Sequence, residues 1–237
     1  MNFYEKNLLY FTGKTNGVLM TFGWVMALAG IWCLVKAFGN LDASHSELVT
    51  GVILLIVGGF SINAGKTIEW PVSDADYDRE IENYIANLET LALDKLGLDE
   101  SEVNEIAPII LGGYEFDGVE KVKKGNDGKW RSNIYKVAVL FFSLNELHSY
   151  SMRFNTLQEE KNESTDVYFY QDVVSVSTSS LTFKVKIDEQ ENTINNEAFK
   201  LTTKGGTSFS VNILKNQQYA QESVNAMRAL LREKKQA

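Results

Sequence analysis

Residues that carry chemistry are scarce in this chain. Its 237 residues include one cysteine, two histidines and two prolines. A single thiol, Cys33, closes no disulfide within the chain and builds no cysteine metal site, which suits a reducing compartment for the polar part. The histidines, His45 and His148, fall on opposite sides of a membrane in the topology argued below, so they share no site. Each is expected to be structural or on the surface. No nucleophile with a base and an orienting group can be assembled from the sequence. The acids Asp74, Asp76, Asp78, Glu80 and Glu82 crowd together without the loop spacing of a calcium site. They are expected to face solvent and to complement a helix N-terminus. These absences predict a protein that is not an enzyme and holds neither a metal nor a cofactor.

Positive charge is also short. The chain has 23 Lys and Arg against 31 Asp and Glu, a net charge of −8. A general nucleic-acid binder needs an excess of phosphate-neutralising cations, so nucleic acid is not the expected partner. One motif looks like an exception. The stretch GGFSINAGKT, residues 58–67, ends in Gly-Lys-Thr as a phosphate-binding loop does. That loop also needs a glycine five positions before the glycine of the triplet. Phe60 stands there, and for the second triplet, Gly13 to Thr15, the position holds Leu8. Both fail on spacing.

Long apolar runs are abundant instead. The runs GVLMTFGWVMALAGIWCLV, 17–35, and LVTGVILLIVGGFSINAG, 48–65, contain no charged residue. Each is about long enough to cross a bilayer as a helix. Lys66 then reads as an interfacial lysine whose stem lies along the lipid boundary. The first run is long for a signal peptide, a second follows at once, and VKAFGN is a poor cleavage site. A retained membrane hairpin over 1–70 is expected, with spans at about 17–37 and 48–66. Lys6 and Lys14 precede it and Lys66 and Arg79 follow it, while the connection AFGNLDASHSE has no cation, with Lys36 at its border. The positive-inside rule therefore puts both ends in the cytoplasm and the short loop outside. Trp70 is placed to anchor the second span at the interface. Gly23, Ala27 and Gly30 on the first span and Gly51, Gly58 and Gly59 on the second suit close helix contact. They predict packing within one hairpin or, alternatively, a homo-oligomer around a pore. Neither span carries an acid or base inside it to mark an ion path.

Residues 71–107 read as a helical connector. Ser73 is placed as an N-cap, and Tyr77, Ile81, Tyr84, Ile85, Leu88, Leu91 and Ala92 form one apolar face of a single helix that Gly97 stops. A short second helix starts at Asp99. From Pro108 the period becomes that of strands. PIILGGYEF comes first; VEKVKK and KWRSNIYKVAVLFFS flank the turn GNDG; ELHSYSMRF follows. NTLQEEKNESTD reads as an exposed loop. VYFYQDVVSVSTSS, LTFKVKID, EAFKLTTK and TSFSVNI are further strands, with Gly205-Gly206 turning the last pair. Tyr219, Ala220, Ser223, Met227, Leu230 and Leu231 mark the core-facing side of a closing helix. The expected fold class is α+β: a transmembrane hairpin, a helix, then an antiparallel sandwich or barrel whose open end the C-terminal helix covers.

The segments GGYEFDG, KKGNDGKWRSN, VYFYQDVVSVSTSS and ALLREKKQA resemble a group of bacterial membrane proteins with a C-terminal pleckstrin-homology-like domain. The resemblance covers about residues 75–237 and rests on turn and strand patterns. It implies a pleckstrin-homology-like domain over 108–237 and a binding module for lipid headgroups, peptides or partner proteins. With the predicted topology, it implies a multi-pass protein of the inner membrane.

Two sets of residues are candidates for binding. Lys121, Lys123, Lys124, Lys129 and Arg131 cluster around one turn of an otherwise acidic domain. Lys124, Lys129 and Arg131 are similar in spacing to the headgroup pattern of phosphoinositide-binding pleckstrin-homology domains. Alternation lets Lys129 and Arg131 point together at an anion, with anionic phospholipid as the expected target. The same lysines would also guard the edge of an ordinary solvated hairpin. Tyr168 and Tyr170, with Phe169 facing the other way, are expected in the core or along a ligand groove. Two functions follow. The first is a membrane-anchored scaffold or sensor recognising a partner protein or anionic lipid. The second is a membrane effector or small channel-like oligomer gated by ligand binding to the soluble domain.

Overall fold

A computed structural model describes residues 2–39, 45–66, 68–69, 71–187, 190–213 and 218–236, with the backbone alone at 39, 68–69, 218–221, 223 and 235–236. Trp70, expected as an interfacial anchor, lies outside the described residues, as do the side chains of Tyr219, Ala220 and Ser223. The chain divides into two compact units, Leu8–Ser73 and a larger one made of residues 1–7 and 74–237.

In the smaller unit two helices form an antiparallel pair. Helix α1 spans Phe3–Thr12 and leads into it; α2 spans Gly17–Gly39 and α3 His45–Gly65. Asn16 caps α2, its side-chain oxygen accepting the Leu19 N–H at 3.1 Å. The second helix starts three residues earlier than the apolar run, which takes in Glu47, and Glu47 binds Lys36 across the connection at 3.1 Å. Both helices are long and apolar enough to cross a membrane. Their large side chains point away from protein: Val18, Trp32 and Phe38 on α2 and Ile56 and Phe60 on α3 are mostly exposed. An apolar surface of that extent needs cover from something other than water. A short backbone ladder, β1 (Lys14–Thr15) with β2 (Ile68–Glu69), joins the ends of the pair.

The small residues are used inside this hairpin. A Cβ on Gly23 would lie 2.8 Å from the Gly58 carbonyl oxygen, and one on Gly58 would lie 2.7 Å from the Gly23 carbonyl oxygen and 2.8 Å from the Ala27 nitrogen. Gly30 and Gly51 meet in the same way. The backbones approach because no side chain stands between them. Gly59 has open space.

The larger unit mixes helices with antiparallel sheets. Helices α4 (Asp74–Tyr84) and α5 (Leu88–Leu96) replace the single helix expected there. The chain bends at Ile85–Asn87, where the Ala86 N–H bonds the Asn83 carbonyl and the Leu88 N–H bonds the Ile85 carbonyl. Two asparagines, weak helix formers, bracket the bend, and it lets both buried faces, Tyr77 and Ile81, then Leu88, Ala92 and Leu93, reach cover. Gly97 ends α5 in the left-handed region at φ 67°. The second expected helix is a single 3₁₀ turn, Glu100–Glu102, capped by Asp99. On the N-terminal side Phe3 stacks on Tyr84 and Lys6 pairs with Glu80.

The strands are β3 (Ile109–Tyr114), β4 (Val122–Lys124), β5 (Trp130–Ser132), β6 (Ile134–Phe142), β7 (Glu146–Asn155), β8 (Lys161–Phe169), β9 (Val173–Ile187), β10 (Gln190–Thr203) and β11 (Ser208–Ile213), followed by α6 (Gln218–Gln236). They make a four-stranded meander β3-β6-β7-β8, a three-stranded meander β9-β10-β11 and the separate hairpin β4-β5. No strand of one meander pairs with a strand of the other, so among the described residues no barrel closes. Side chains bridge the meanders: Asn212 Nδ2 donates to the Tyr114 carbonyl at 2.8 Å and Lys136 Nζ to that of Ser210 at 2.8 Å. The core joins Leu111, Leu140, Phe142 and Leu147 to Phe199, Leu201 and Val211, with Val224, Met227, Leu230 and Leu231 of α6 buried in it. Burying each such side chain contributes about 1.5–3 kcal/mol before the entropy of ordering is subtracted.

Two expectations change here. Residues 161–166, read as loop, form the start of β8, an outer strand whose exposed polar side chains show no alternation of hydrophobicity. Backbone pairing to β7 and charges along the edge account for it. The segments VYFYQDVVSVSTSS and LTFKVKID regroup: a 3₁₀ turn at Tyr170–Asp172 ends β8, and β9 then runs unbroken for 15 residues.

Candidate binding site

Helix α4 presents Asp74, Tyr77 and Asp78 on one face, as i, i+3 and i+4 spacing requires. That face meets the hairpin β4-β5. The Tyr77 hydroxyl donates to the Ser132 carbonyl at 2.8 Å. Asp74 Oδ2 accepts the Asn126 N–H in the turn at 2.7 Å. Asp78 takes a two-pronged bond from Arg131, Nε to Oδ1 at 2.8 Å and Nη2 to Oδ2 at 2.7 Å. Asp127 takes another, from Nη1 at 2.9 Å and Nη2 at 2.8 Å. The Tyr114 hydroxyl also donates to Asp78, at 2.6 Å. Arg131 is 2% exposed and lies between three carboxylates. Its planar fork suits two bidentate partners as a lysine would not. The hydrogen bonds from Arg131 hold the Asp127 carboxyl down at about 2, against the opposing effect of burial. Burial raises the Tyr114 hydroxyl well above its usual range, and neighbouring Tyr77 and Asp78 add to that.

Space at the turn is tight. A Cβ on Gly125 would lie 2.5 Å from Arg131 Nη1 and 2.7 Å from both Asp127 Oδ1 and Asp74 Cγ. Gly128 closes the turn at φ 77°.

The basic hairpin is therefore divided. The expectation that Lys129 and Arg131 point together at an anion does not hold for Arg131, whose charge is turned inward and neutralised. Lys129 precedes β5 rather than alternating within it, and its side chain is 63% exposed. Cross-strand register puts Lys123 beside Arg131 and Lys124 beside Trp130. Lys123 is half-buried; burial lowers its ammonium pKa, with Asp74 opposing and Arg131 adding. Lys124 is exposed with its Nζ 5.7 Å from the Trp130 ring centre, and Lys121 is exposed. Three lysines, Lys121, Lys124 and Lys129, thus remain outward.

Beside the hairpin lies a cleft of about 350 Å³. Tyr114, Phe116 and Ile194 are buried beneath it. Lys129 and Trp130 line one side, and Thr193, Asn195 and Asn196 of β10 the other. Phe116 extends this apolar patch to Phe183 of β9, ring centres 5.8 Å apart.

Tyr168 and Tyr170 belong to the core, with Phe169 exposed as alternation required. The Tyr170 hydroxyl donates to the Ser143 carbonyl at 2.7 Å. Tyr170 is buried in the core, and Tyr168 borders a surface hollow of about 410 Å³ with Asp172 and Lys204. His148 is buried with Nε2 3.3 Å from Glu146 Oε1. Sequence reasoning missed Asp74, Asp78 and Asp127 as partners of Arg131. The available signal was one arginine in a hairpin of lysines, facing acids at i and i+4 on a helix.

Compared with known protein families, curated proteins and solved structures, the chain matches none. The site stands on its own geometry.

Proposed function

We propose that this chain is a membrane-anchored binding module, not an enzyme, whose larger unit recognises a partner protein. In this proposal α2 and α3 cross the inner membrane with both ends cytoplasmic, and the β unit is a pleckstrin-homology-like domain. The order of a four-stranded meander, a three-stranded meander and a closing helix supports that fold assignment. The observation that carries the function is the cleft. It pairs an apolar floor with a few polar groups at its rim, and the ion cluster at Arg131 holds one wall rigid.

A second target, anionic lipid, is favoured by the outward Lys121, Lys124 and Lys129. Each contributes on the order of 1 kcal/mol near an anionic surface, enough to orient a tethered domain. A channel-like homo-oligomer has less support, because the glycines that would build it are used within one hairpin, except Gly59.

The test is hydrogen exchange of the full chain in nanodiscs of neutral and of anionic lipid. Protection of residues 121–132 in anionic discs alone, abolished by Lys124→Glu with Lys129→Glu, supports the lipid target. Equal exchange in both discs removes lipid and leaves the protein partner.

A further inference from the structure

Two open strand edges in the larger unit are built differently. Strand β8, the outer strand of the four-stranded meander, carries Lys161, Glu163 and Asp166. Charges of that kind keep an edge from pairing with another chain. Strand β9, the outer strand of the three-stranded meander, has no charged residue from Val173 to Phe183 and no proline or glycine. It pairs only with β10 among the described residues.

The backbone of this edge has a fixed direction. The Thr203 N–H bonds the Thr207 carbonyl, so alternation turns Leu201 of β10 toward β11 and its register partner Val176 away from β10. Arg228 of α6 meets that outward group, its Nε donating to the Val176 carbonyl at 3.1 Å. The helix therefore covers the start of the edge. Beyond it the backbone groups of Thr178, Ser180, Thr182, Lys184 and Lys186 point the same way. This far half also lacks support within the chain. Strand β11 pairs with β10 only from Glu197 to Thr202, opposite Ser175–Ser180. From Leu181 to Ile187 the sheet is a two-stranded ribbon, which is marginal in water by itself. One face of the ribbon is apolar, with Leu181, Phe183, Val185 and Ile187 only half-buried.

A second copy of the same strand fits this edge. Thr182 is the middle of the five outward residues. An identical strand running antiparallel about Thr182 uses all five and makes about ten backbone hydrogen bonds. It sets Thr182 against Thr182, Ser180 against Lys184 and Thr178 against Lys186, so no lysine meets a lysine. On the apolar face it sets Leu181 against Phe183. Lys184 is already paired with Glu191 of its own ribbon at 3.3 Å, and Lys186 stands opposite Glu191 in register. The edge thus asks its occupant for backbone, hydroxyl and apolar groups, and β9 itself supplies them.

We infer that two copies of this chain associate through β9, joining their ribbons into one four-stranded sheet about a twofold axis at Thr182. This interface goes beyond the binding-module reading and does not depend on it.

The experiment is oxidative crosslinking of the full chain in detergent, in a Cys33→Ser background, with the mass read by light scattering. The two Thr182 residues would lie about 5.5 Å apart between Cα atoms, within reach of a disulfide. Thr182→Cys should crosslink copy to copy about tenfold faster than Thr165→Cys, which is also exposed but lies on β8. Thr182→Lys sets like charges against each other on the axis and should weaken the dimer about tenfold. Ser180→Pro removes an outward N–H, leaves the ladder to β10 intact, and should weaken it too. A parent of monomer mass, equal crosslinking at both positions, or a dimer that both substitutions leave unchanged overturns the β9 interface. Each of those results leaves the partner-protein reading standing.

Discussion

Close approach is achieved by opposite means in the two units. Between α2 and α3 it comes from subtraction: Gly23 and Gly58 remove side chains until carbonyls meet backbone. At the turn of β4-β5 it comes from matched charge: one guanidinium draws in Asp74, Asp78 and Asp127 from two elements. The first kind of contact has nothing to titrate and nothing for salt to screen. The second depends on every partner keeping its charge. The first therefore fails by crowding and the second by losing one member.

The largest effect should follow removal of the shared member. Arg131→Ala leaves three carboxylates facing one another, and breaking a buried ion pair costs about 3–5 kcal/mol. The unfolding midpoint of the larger unit in the full chain, read by near-ultraviolet circular dichroism, should fall accordingly. Arg131→Lys should recover little of it, since an ammonium cannot make both two-pronged bonds. Recovery by lysine would show that charge rather than geometry holds the turn.

Crowding the hairpin should come next. Gly58→Leu places atoms where the Gly23 carbonyl and Ala27 nitrogen stand, and overpacking costs about 1–3 kcal/mol. Gly59→Leu, one residue on, meets open space and should leave the hairpin unchanged. Distances between spin labels on α2 and α3 measure both. A Gly59→Leu chain that instead changes its mass in detergent would point to contacts between copies.

The smallest effect concerns acid. Asp127 has its folded value depressed to about 2, so its contribution is present above the ordinary carboxylate range and is lost as pH falls toward 2. Stability of the larger unit should drop between about pH 4 and pH 2, and Asp127→Asn should flatten that drop. The interior of the α2–α3 pair, without acids, should show no matching change. An unaltered acid limb in Asp127→Asn would remove Asp127 from the cluster's energetics.

Much of this architecture is legible because local rules act within a few residues. The two long apolar helices declare themselves by length, the glycines by spacing, and the turns at Gly97 and Gly125–Gly128 by residue type. Phe169 faces outward from between Tyr168 and Tyr170, as a period of two demands. Arg131 was misread because alternation gives a face but not what covers it. The cover is a helix more than 50 residues earlier. Residues 161–166 were misread because a strand held by its backbone carries no pattern in its side chains. The cleft was hidden for a third reason: its two walls lie more than 60 residues apart in sequence and meet only through the fold.

The bond from Asn126 to Asp74 spans 52 residues, and that from Arg131 to Asp78 spans 53. A short hairpin usually closes in microseconds on local information. This one has local geometry but distant completion. Its turn reaches final form only after α4 has docked, paying the loop-closure entropy of a long segment. During synthesis the order is favourable, because α4 leaves the ribosome before the hairpin that needs it. Refolding from the full-length unfolded chain has no such sequence of events. There the hairpin must wait for a helix that arrives by search.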